Sequence, residues 1–337
     1  MIPTYRRPSD LDRCLAAVLR QTSLPRETIV VVRAGDGESS RVVREAMPAF
    51  RRLGLELTEV AIAVPGVVAA MNKGLSYCRT ELVAITDDDA EPHPGWLAGI
   101  RRHFASDERI AGVGGRDVLP HGTRQDGRAS VPVGKLTWYG KPIGNHHLGG
   151  GAARDVDFLK GVNCAYRRAE LADIGFETAL LGSGAQVHWE MALGLALRRK
   201  GFRLVYDPEL TVDHHESVRH DEDKRQMAIH PVATVNLTHN ETFAVLTHLR
   251  PVQRLVYAVW SLAVGTTASP GLVQAVRYLL RGRPDMLLRT AYSCKGRVKG
   301  AWTWIKSMKN GWNDAYGKAG ASPGGEPQPL LSDQNHR

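Results

Sequence analysis

Cysteine is sparse in this chain of 337 residues and never clustered. Cys14, Cys78, Cys164 and Cys294 include no Cys-x-x-Cys pair, which excludes a zinc knuckle or a disulfide framework and fits reduced thiols in a cytosolic compartment. The opening Met1-Ile2-Pro3-Thr4-Tyr5-Arg6-Arg7 has no apolar h-region, so no signal peptide is read there and a cytoplasmic location is expected. A glycine-rich phosphate loop after the first expected strand is missing too, which counts against a sugar-phosphate nucleotidyltransferase. Acidic residues almost vanish over residues 250–312. There Arg250, Arg254, Arg277, Arg281, Arg283, Arg289, Lys295, Arg297, Lys299, Lys306 and Lys309 are opposed by Asp285 alone. This stretch accounts for the whole formal excess of +9, and the remainder is close to neutral. What is left is an ordinary globular composition, 43% apolar and 23% charged. It is long enough for one large α/β domain with an appendage, or for two modest domains.

Strand and helix patterns alternate through the first third. Ile2-Pro3-Thr4 reads as the last step of a strand whose earlier residues are missing. Ser9 is expected to cap a helix with Leu11, Cys14, Leu15, Val18 and Leu19 on one stripe. Residues 28–33 read as a buried strand ending in the turn Ala34-Gly35-Asp36-Gly37, followed by helix over 41–53 and strand over 55–60. A helix follows Pro65-Gly66, then an apolar strand from Leu82, a helix over 94–104 and a strand over 109–114. The alternation predicts a parallel, doubly wound sheet. Residues 116–155, rich in Gly, His and Pro, read as a binding loop or a simple insert. Residues 156–167 read as one resumed strand, and 189–200 as a helix closed by Gly201. Two further strands over 202–206 and 210–213 lead to His214-His215, and no internal repeat is visible.

The strand from Leu82 ends in Asp87-Asp88-Asp89. Open α/β sheets place ligands at such strand ends, and three adjacent carboxylates repel one another unless a cation neutralises them. Oxygen ligands on alternate residues suit Mg²⁺ or Mn²⁺ holding a diphosphate. A solvated acidic turn, with one aspartate capping the next helix, is the structural alternative.

In order, the Pro3-Thr4 start, the valine-rich strand ending near Asp36, the Asp triplet and the distal glutamate–helix–strand–histidine series resemble family 2 glycosyltransferases of the GT-A fold, over residues 1–220. The resemblance implies a doubly wound mixed sheet with a nucleotide-binding half and an acceptor half. It implies that Pro3, Thr4 and Tyr5 meet the nucleotide base and that Asp36 holds base or ribose. Arg33-Ala34-Gly35-Asp36-Gly37 departs from the family's more usual pair of acids followed by Gly-Ser. Asn72 and Lys73 fall near the expected diphosphate, or on an exposed helix face. Asp87 and Asp89 match the metal ligands, Asp88 the ribose contact, and His214 a histidine that completes the metal shell, with His215 the second choice. Gly161 and Asn163 match a strand beside the donor sugar. Glu190 falls where the family has its catalytic aspartate, with Trp189 in place of the preceding glutamate, and His188 competes for the role of base. The expected activity is inverting transfer from a nucleoside-diphosphate sugar, with Mn²⁺ or Mg²⁺, to a hydroxyl of a lipid-linked or glycan acceptor.

Three regions are expected: a catalytic domain over 1–245, a basic helical region over 246–315 and a disordered tail over 316–337. The uncharged stretch 255–276 is long enough to approach a bilayer span, but Gly265, Thr266, Thr267, Ser269, Pro270, Gly271 and Gln274 make its middle polar. It reads as a span, an interfacial helical hairpin or a soluble annex. The flanking cations with Trp260, Trp302, Trp304 and Trp312 suit the cytoplasmic face of an anionic membrane. No nucleic-acid fold signature accompanies the charge, so nucleic acid is not expected as a partner. An inactive membrane-bound scaffold of the same fold would keep the tail without needing Asp87, Asp89 and Glu190 together.

Overall fold

The computed structural model describes residues 1–119, 131–220, 222 and 230–309; the tail expected to be disordered lies outside them. Three parallel strands, β1 (Ile2–Thr4), β2 (Glu27–Arg33) and β3 (Glu56–Ile62), pair in the order β1-β2-β3. β2 is buried on both faces, which is why its core is a run of β-branched residues rather than an alternation. Val30 and Val32 pack on one side against Leu11 and Leu15 of α1 (Pro8–Leu19) and Val43 and Phe50 of α2 (Gly37–Arg52). Ile29 and Val31 pack on the other against Val60 of β3 and Ala70 of α3 (Val67–Leu75).

β1 also borders β4 (Leu82–Ile85): the Met1 ammonium donates to the Ala84 carbonyl at 2.8 Å, and Thr86 N–H donates to the Met1 carbonyl at 3.3 Å. The three-stranded unit thereby continues into a second sheet with the order β4-β10-β6-β11-β5. Its strands are β5 (Ala90–Pro92), β6 (Ile110–Val118), β10 (Cys164–Arg167) and β11 (Arg203–His214), with β9 (Arg154–Val156) against β11. A small hairpin, β7 (Lys135–Leu136) and β8 (Pro142–Ile143), lies between β6 and β9 in sequence. Helices α4 (Trp96–Ser106), α5 (Arg168–Ile174) and α6 (Trp189–Arg199) cover this half.

Several local expectations are corrected here. The sheet is mixed, as the resemblance implies, and not the parallel sheet that the alternation alone predicts, because β10 runs antiparallel to both β4 and β6 while β11 is parallel to β6. Residues 156–167 are not one strand: β9 pairs with β11, the chain turns through 160–163, and β10 pairs elsewhere. The two strands expected over 202–213 are one, β11, with a register shift between Asp207 and Thr211. Arg7, not Ser9, stands at the N-cap of α1, since Pro8 suits the first helical position.

The C-terminal part is all helix: α7 (Pro231–His248), α8 (Pro251–Ala263), α9 (Leu272–Leu280) and α10 (Asp285–Lys309). The boundary expected at 245/246 falls inside α7, whose Phe243, Val245 and Leu246 share one core with Leu193 of α6, Tyr206 of β11 and Tyr257 of α8. α10 lies along α7, and Gly296 and Gly300 let the backbones approach. A Cβ there would stand 2.7 Å from the Val235 carbonyl oxygen and 2.6 Å from that of His239. No helix among the described residues is long and apolar enough to cross a membrane.

Candidate active site

The ends of β1 and β4 open onto a cleft of about 350 Å³, where the topology of an open α/β sheet puts ligands. Pro3, Thr4, Tyr5, Asp87, Asp88, Asp89, Gly161, Glu190 and His214 all line it. Of the residues singled out from sequence, these are the ones that converge.

Asp87, Asp89 and His214 each offer a ligand atom, and these atoms lie within 4.8 Å of one another. His214 Nε2 is 3.6 Å from Asp89 Oδ1, which is buried and accepts no hydrogen bond among the described residues. Burial and the neighbouring Asp89 charge push the Asp87 carboxyl above its ordinary range. An acceptor without a donor, beside a second carboxylate and an imidazole, fits a divalent cation. The protein already supplies one positive charge: Arg7 Nη1 donates to Asp88 Oδ1 at 2.8 Å and to Asp89 Oδ2 at 3.1 Å. Thr4 Oγ1 donates to Asp88 Oδ2 at 2.8 Å. Burial still dominates Asp88 and pushes it up to about 7, against the opposing Arg7 charge.

Asp117, at the end of β6, is fully buried and was not singled out from sequence. Lys160 Nζ pairs with its Oδ2, and His214 Nδ1 faces the same oxygen at 3.8 Å, an electrostatic rather than a hydrogen-bonding distance. Burial alone would raise this carboxyl. The imidazole and the ammonium outweigh burial and hold it well below the carboxylate range. Asp117 thus faces the ring nitrogen of His214 that points away from Asp89, the position of a carboxylate that orients a metal-binding imidazole.

In the same cleft, Gly161 N–H donates to Glu190 Oε1 at 3.1 Å. A Cβ on Gly161 would stand 2.6 Å from the Trp189 ring and 3.0 Å from Glu190 Oε1, so the bare glycine is what allows this contact. Burial pushes the Glu190 carboxyl up, partly opposed by that N–H. Tyr5 presents a ring in the lining, with the Arg6 and Arg33 guanidinium carbons 5.0 and 5.4 Å from its centroid.

The remaining residues singled out from sequence lie outside the cleft lining. Asp36 caps α2, accepting from Ser39 N–H at 3.2 Å and from the Arg6 backbone N–H. Asn72 exchanges hydrogen bonds with the Phe176 backbone at 2.8 and 2.9 Å. Lys73 stands over the Tyr77 ring. Asn163 is fully buried, accepting from Trp96 Nε1 at 2.8 Å and donating to the Leu210 carbonyl at 2.7 Å beside the irregularity in β11. His188 precedes α6 with φ 78°, 3.8 Å from Glu241, and burial pushes it down to about 4. His215 turns to Glu91 at 3.0 Å, away from the carboxylate pair. Arg7, Lys160 and Asp117 are charged residues that sequence reading missed, as are Arg33 and Arg219, which line the cleft. The Arg6-Arg7 pair directly after Tyr5 was the available signal for the first of them.

The sequence profile described as glycosyl transferase family 2 matches residues 1–174. Glycosyltransferase AglE of Haloferax volcanii is 25% identical over 193 residues, 56% of this chain and 58% of that protein. The pre-mycofactocin glycosyltransferase of Mycobacterium tuberculosis is 30% identical over 155 residues, 44% of this chain and 30% of that protein. The chain therefore aligns with less than two thirds of each relative's length. Among solved structures, the mannosyltransferase PcManGT from Pyrobaculum calidifontis, in complex with GDP-Man and Mn²⁺, superposes with a TM-score of 0.53 at 19% identity, covering 89% of this chain and 86% of that one. TarS (residues 1–349) of S. aureus, in complex with UDP-GlcNAc, gives 0.52 at 16% identity, covering 92% and 90%. At such identities these likenesses speak to the fold, which is of the GT-A type with a C-terminal helical region.

Proposed function

The chain belongs to glycosyl transferase family 2, and from that premise we propose that it transfers a sugar, with inversion, from a nucleoside-diphosphate donor to an acceptor hydroxyl. The observation that carries this reading is the convergence of two carboxylate sets on one cleft: Asp87 and Asp89 with His214, and Glu190 beside Gly161. The similar folds that hold GDP-Man with Mn²⁺ and UDP-GlcNAc support it.

Asp87, Asp89 and His214 would hold Mn²⁺ or Mg²⁺, which when bound offsets the charge growing on the departing diphosphate. Tyr5 supplies a face for the base, and Asp88, fixed by Thr4 and Arg7, an acceptor for a ribose hydroxyl. Lys160 brings a cation to the same cleft. Glu190 takes the proton from the acceptor hydroxyl as its oxygen forms the new bond to the anomeric carbon and the bond from that carbon to the diphosphate breaks. The raised pKa of Glu190 makes it a stronger base than an ordinary glutamate. Its position beside Gly161, rather than in the buried His188–Glu241 pair, is why Glu190 and not His188 is assigned the role.

The reading is tested by incubating the full chain and Mn²⁺ with a panel of GDP- and UDP-sugars and measuring release of nucleoside diphosphate. The expected result is metal-dependent release from one donor class, abolished by Asp89→Ala. Absence of both binding and release across the panel contradicts the proposal.

A further inference from the structure

The helical region turns its greasiest helix inside out. In α9, Leu272, Val273, Val276, Leu279 and Leu280 are all exposed, Leu280 by 82% and Leu272 by 65%, while the helix buries Ala275. The spacing is that of an amphipathic helix, yet its apolar face points to solvent. α8 repeats the pattern with Val252, Leu255, Val259 and Leu262 exposed at helical spacing. The two helices form a hairpin joined through the Gly265–Pro270 bridge. Arg297, buried in α10, donates to the Ser269 and Pro270 carbonyls and holds the turn in place. The apolar faces are thus carried by a braced element, and contiguous exposure on this scale marks a docking surface.

We infer that the α8–α9 hairpin docks on an anionic lipid surface, lying in the headgroup zone without crossing the bilayer. Three observations select that occupant. Arg277 and Arg281 are exposed within and just beyond the apolar face of α9, and neither α8 nor α9 contains an acidic residue. A protein interface typically sheds charge from its apolar centre, whereas a lipid interface favours cations beside exposed aliphatics. A second copy docking by the same face would bring like charges together with no carboxylate to receive them. Trp138, 61% exposed, lies in the β7–β8 turn, its backbone carbonyl accepting from Gln253 Nε2 in the first turn of α8, and an exposed aromatic beside these helices suits the bilayer–water boundary. The absence of a sufficiently long apolar helix among the described residues sets the mode as lying on the surface. Not every cation in the region takes part. Arg254 donates to the Leu246 carbonyl, Arg289 to that of Ala268, and Arg297 to the turn, so these three are committed inside the fold.

The inference does not depend on the chemistry in the cleft. It is tested on the full chain by sedimentation with phosphatidylcholine vesicles, with and without phosphatidylglycerol. The wild type is expected to pellet with the anionic vesicles about tenfold more tightly than with neutral ones, and salt weakens but does not abolish binding. The variant Leu272→Asp/Val276→Asp/Leu280→Asp changes only exposed positions and is expected to keep its circular dichroism spectrum while losing vesicle binding. Arg277→Gln/Arg281→Gln is expected to erase the preference for phosphatidylglycerol. The inference is overturned if the full chain stays in the supernatant with anionic vesicles, or if the triple variant pellets as the wild type does. It is also overturned if the apolar face instead holds together a concentration-dependent dimer that the triple variant dissolves while vesicle binding is absent. Retention on membranes through alkaline carbonate contradicts the surface mode.

Discussion

The layer around β2 and the α8–α9 hairpin are built from similar residues and face opposite ways. Around β2, the stripe Leu11, Cys14, Leu15 and Val18 of α1 closes on Val30 and Val32, and the charged side of the helix meets water. In α9 a stripe of equal regularity meets water, and the side toward the protein is small. Burying a Leu or Val side chain is worth about 1.5–3 kcal/mol, so several left exposed on one short helix forgo a gain comparable to the net stability of a domain. Helical periodicity reports that a segment has an apolar face. It does not report which medium that face meets.

The contrast can be broken or sharpened by substitution. The largest effect is expected in the cleft. Glu190→Gln keeps the shape and the hydrogen bond from Gly161 but loses the proton acceptor, so turnover should fall by about two to four decades with donor affinity nearly unchanged. Single-turnover rates and equilibrium binding separate the two, and a variant that keeps its rate removes Glu190 from the role of base. The wild type also carries a pH signature. Glu190 acts when ionised, and burial raises its pKa, so turnover should fall as pH drops through a value above the ordinary glutamate's of about 4.3. An acid limb at or below that value contradicts the assignment.

Next come the two faces themselves. Phe243→Ala in α7 should destabilise the protein by about 3–5 kcal/mol, as a core position does. Chemical denaturation would show whether α7 belongs to the catalytic core; a loss under about 1 kcal/mol would make the helical region a loosely attached appendage. Asp117→Asn should weaken Mn²⁺ binding by about 10–100-fold while leaving the ligand atoms of Asp87, Asp89 and His214 in place. Metal titration checks this directly, and unchanged affinity would leave Asp117 a structural partner of Lys160. Smallest of all, Leu280→Asp should shift stability by no more than about 0.5 kcal/mol despite placing a charge on an apolar stripe. A loss of core size there would mean the α9 face is covered in solution.

The same comparison explains what was legible in the sequence. β2 was readable because a strand buried on both faces is a continuous β-branched run, and the Asp triplet because it follows directly on the short apolar run of β4. Glu190 was readable by its place at the head of a helix closed by Gly201. Arg7, Lys160 and Asp117 were not, because they reach the site from the start of α1, the turn before β10 and the end of β6. Only the mixed strand order brings those places together. Asn72 and Asn163 are polar residues at plausible positions whose hydrogen bonds go to the fold instead, Asn72 to Phe176 and Asn163 to Leu210 and Arg116. A side chain's partners cannot be read from its own segment. In the basic region the excess charge was evident, but the division between Arg297, buried inside, and Arg277, exposed outside, follows from packing alone.

The central claim is that the carboxylate–imidazole cluster and the cleft beside it bind a nucleoside diphosphate together with a divalent cation. Isothermal titration of GDP and UDP into the full chain, with and without Mn²⁺, compares wild type with Asp89→Ala most directly. The account predicts that Mn²⁺ tightens binding of one nucleotide by about tenfold or more in the wild type and that this enhancement disappears in the variant. Equal affinity with and without Mn²⁺ in the wild type, or full enhancement surviving in Asp89→Ala, would contradict it.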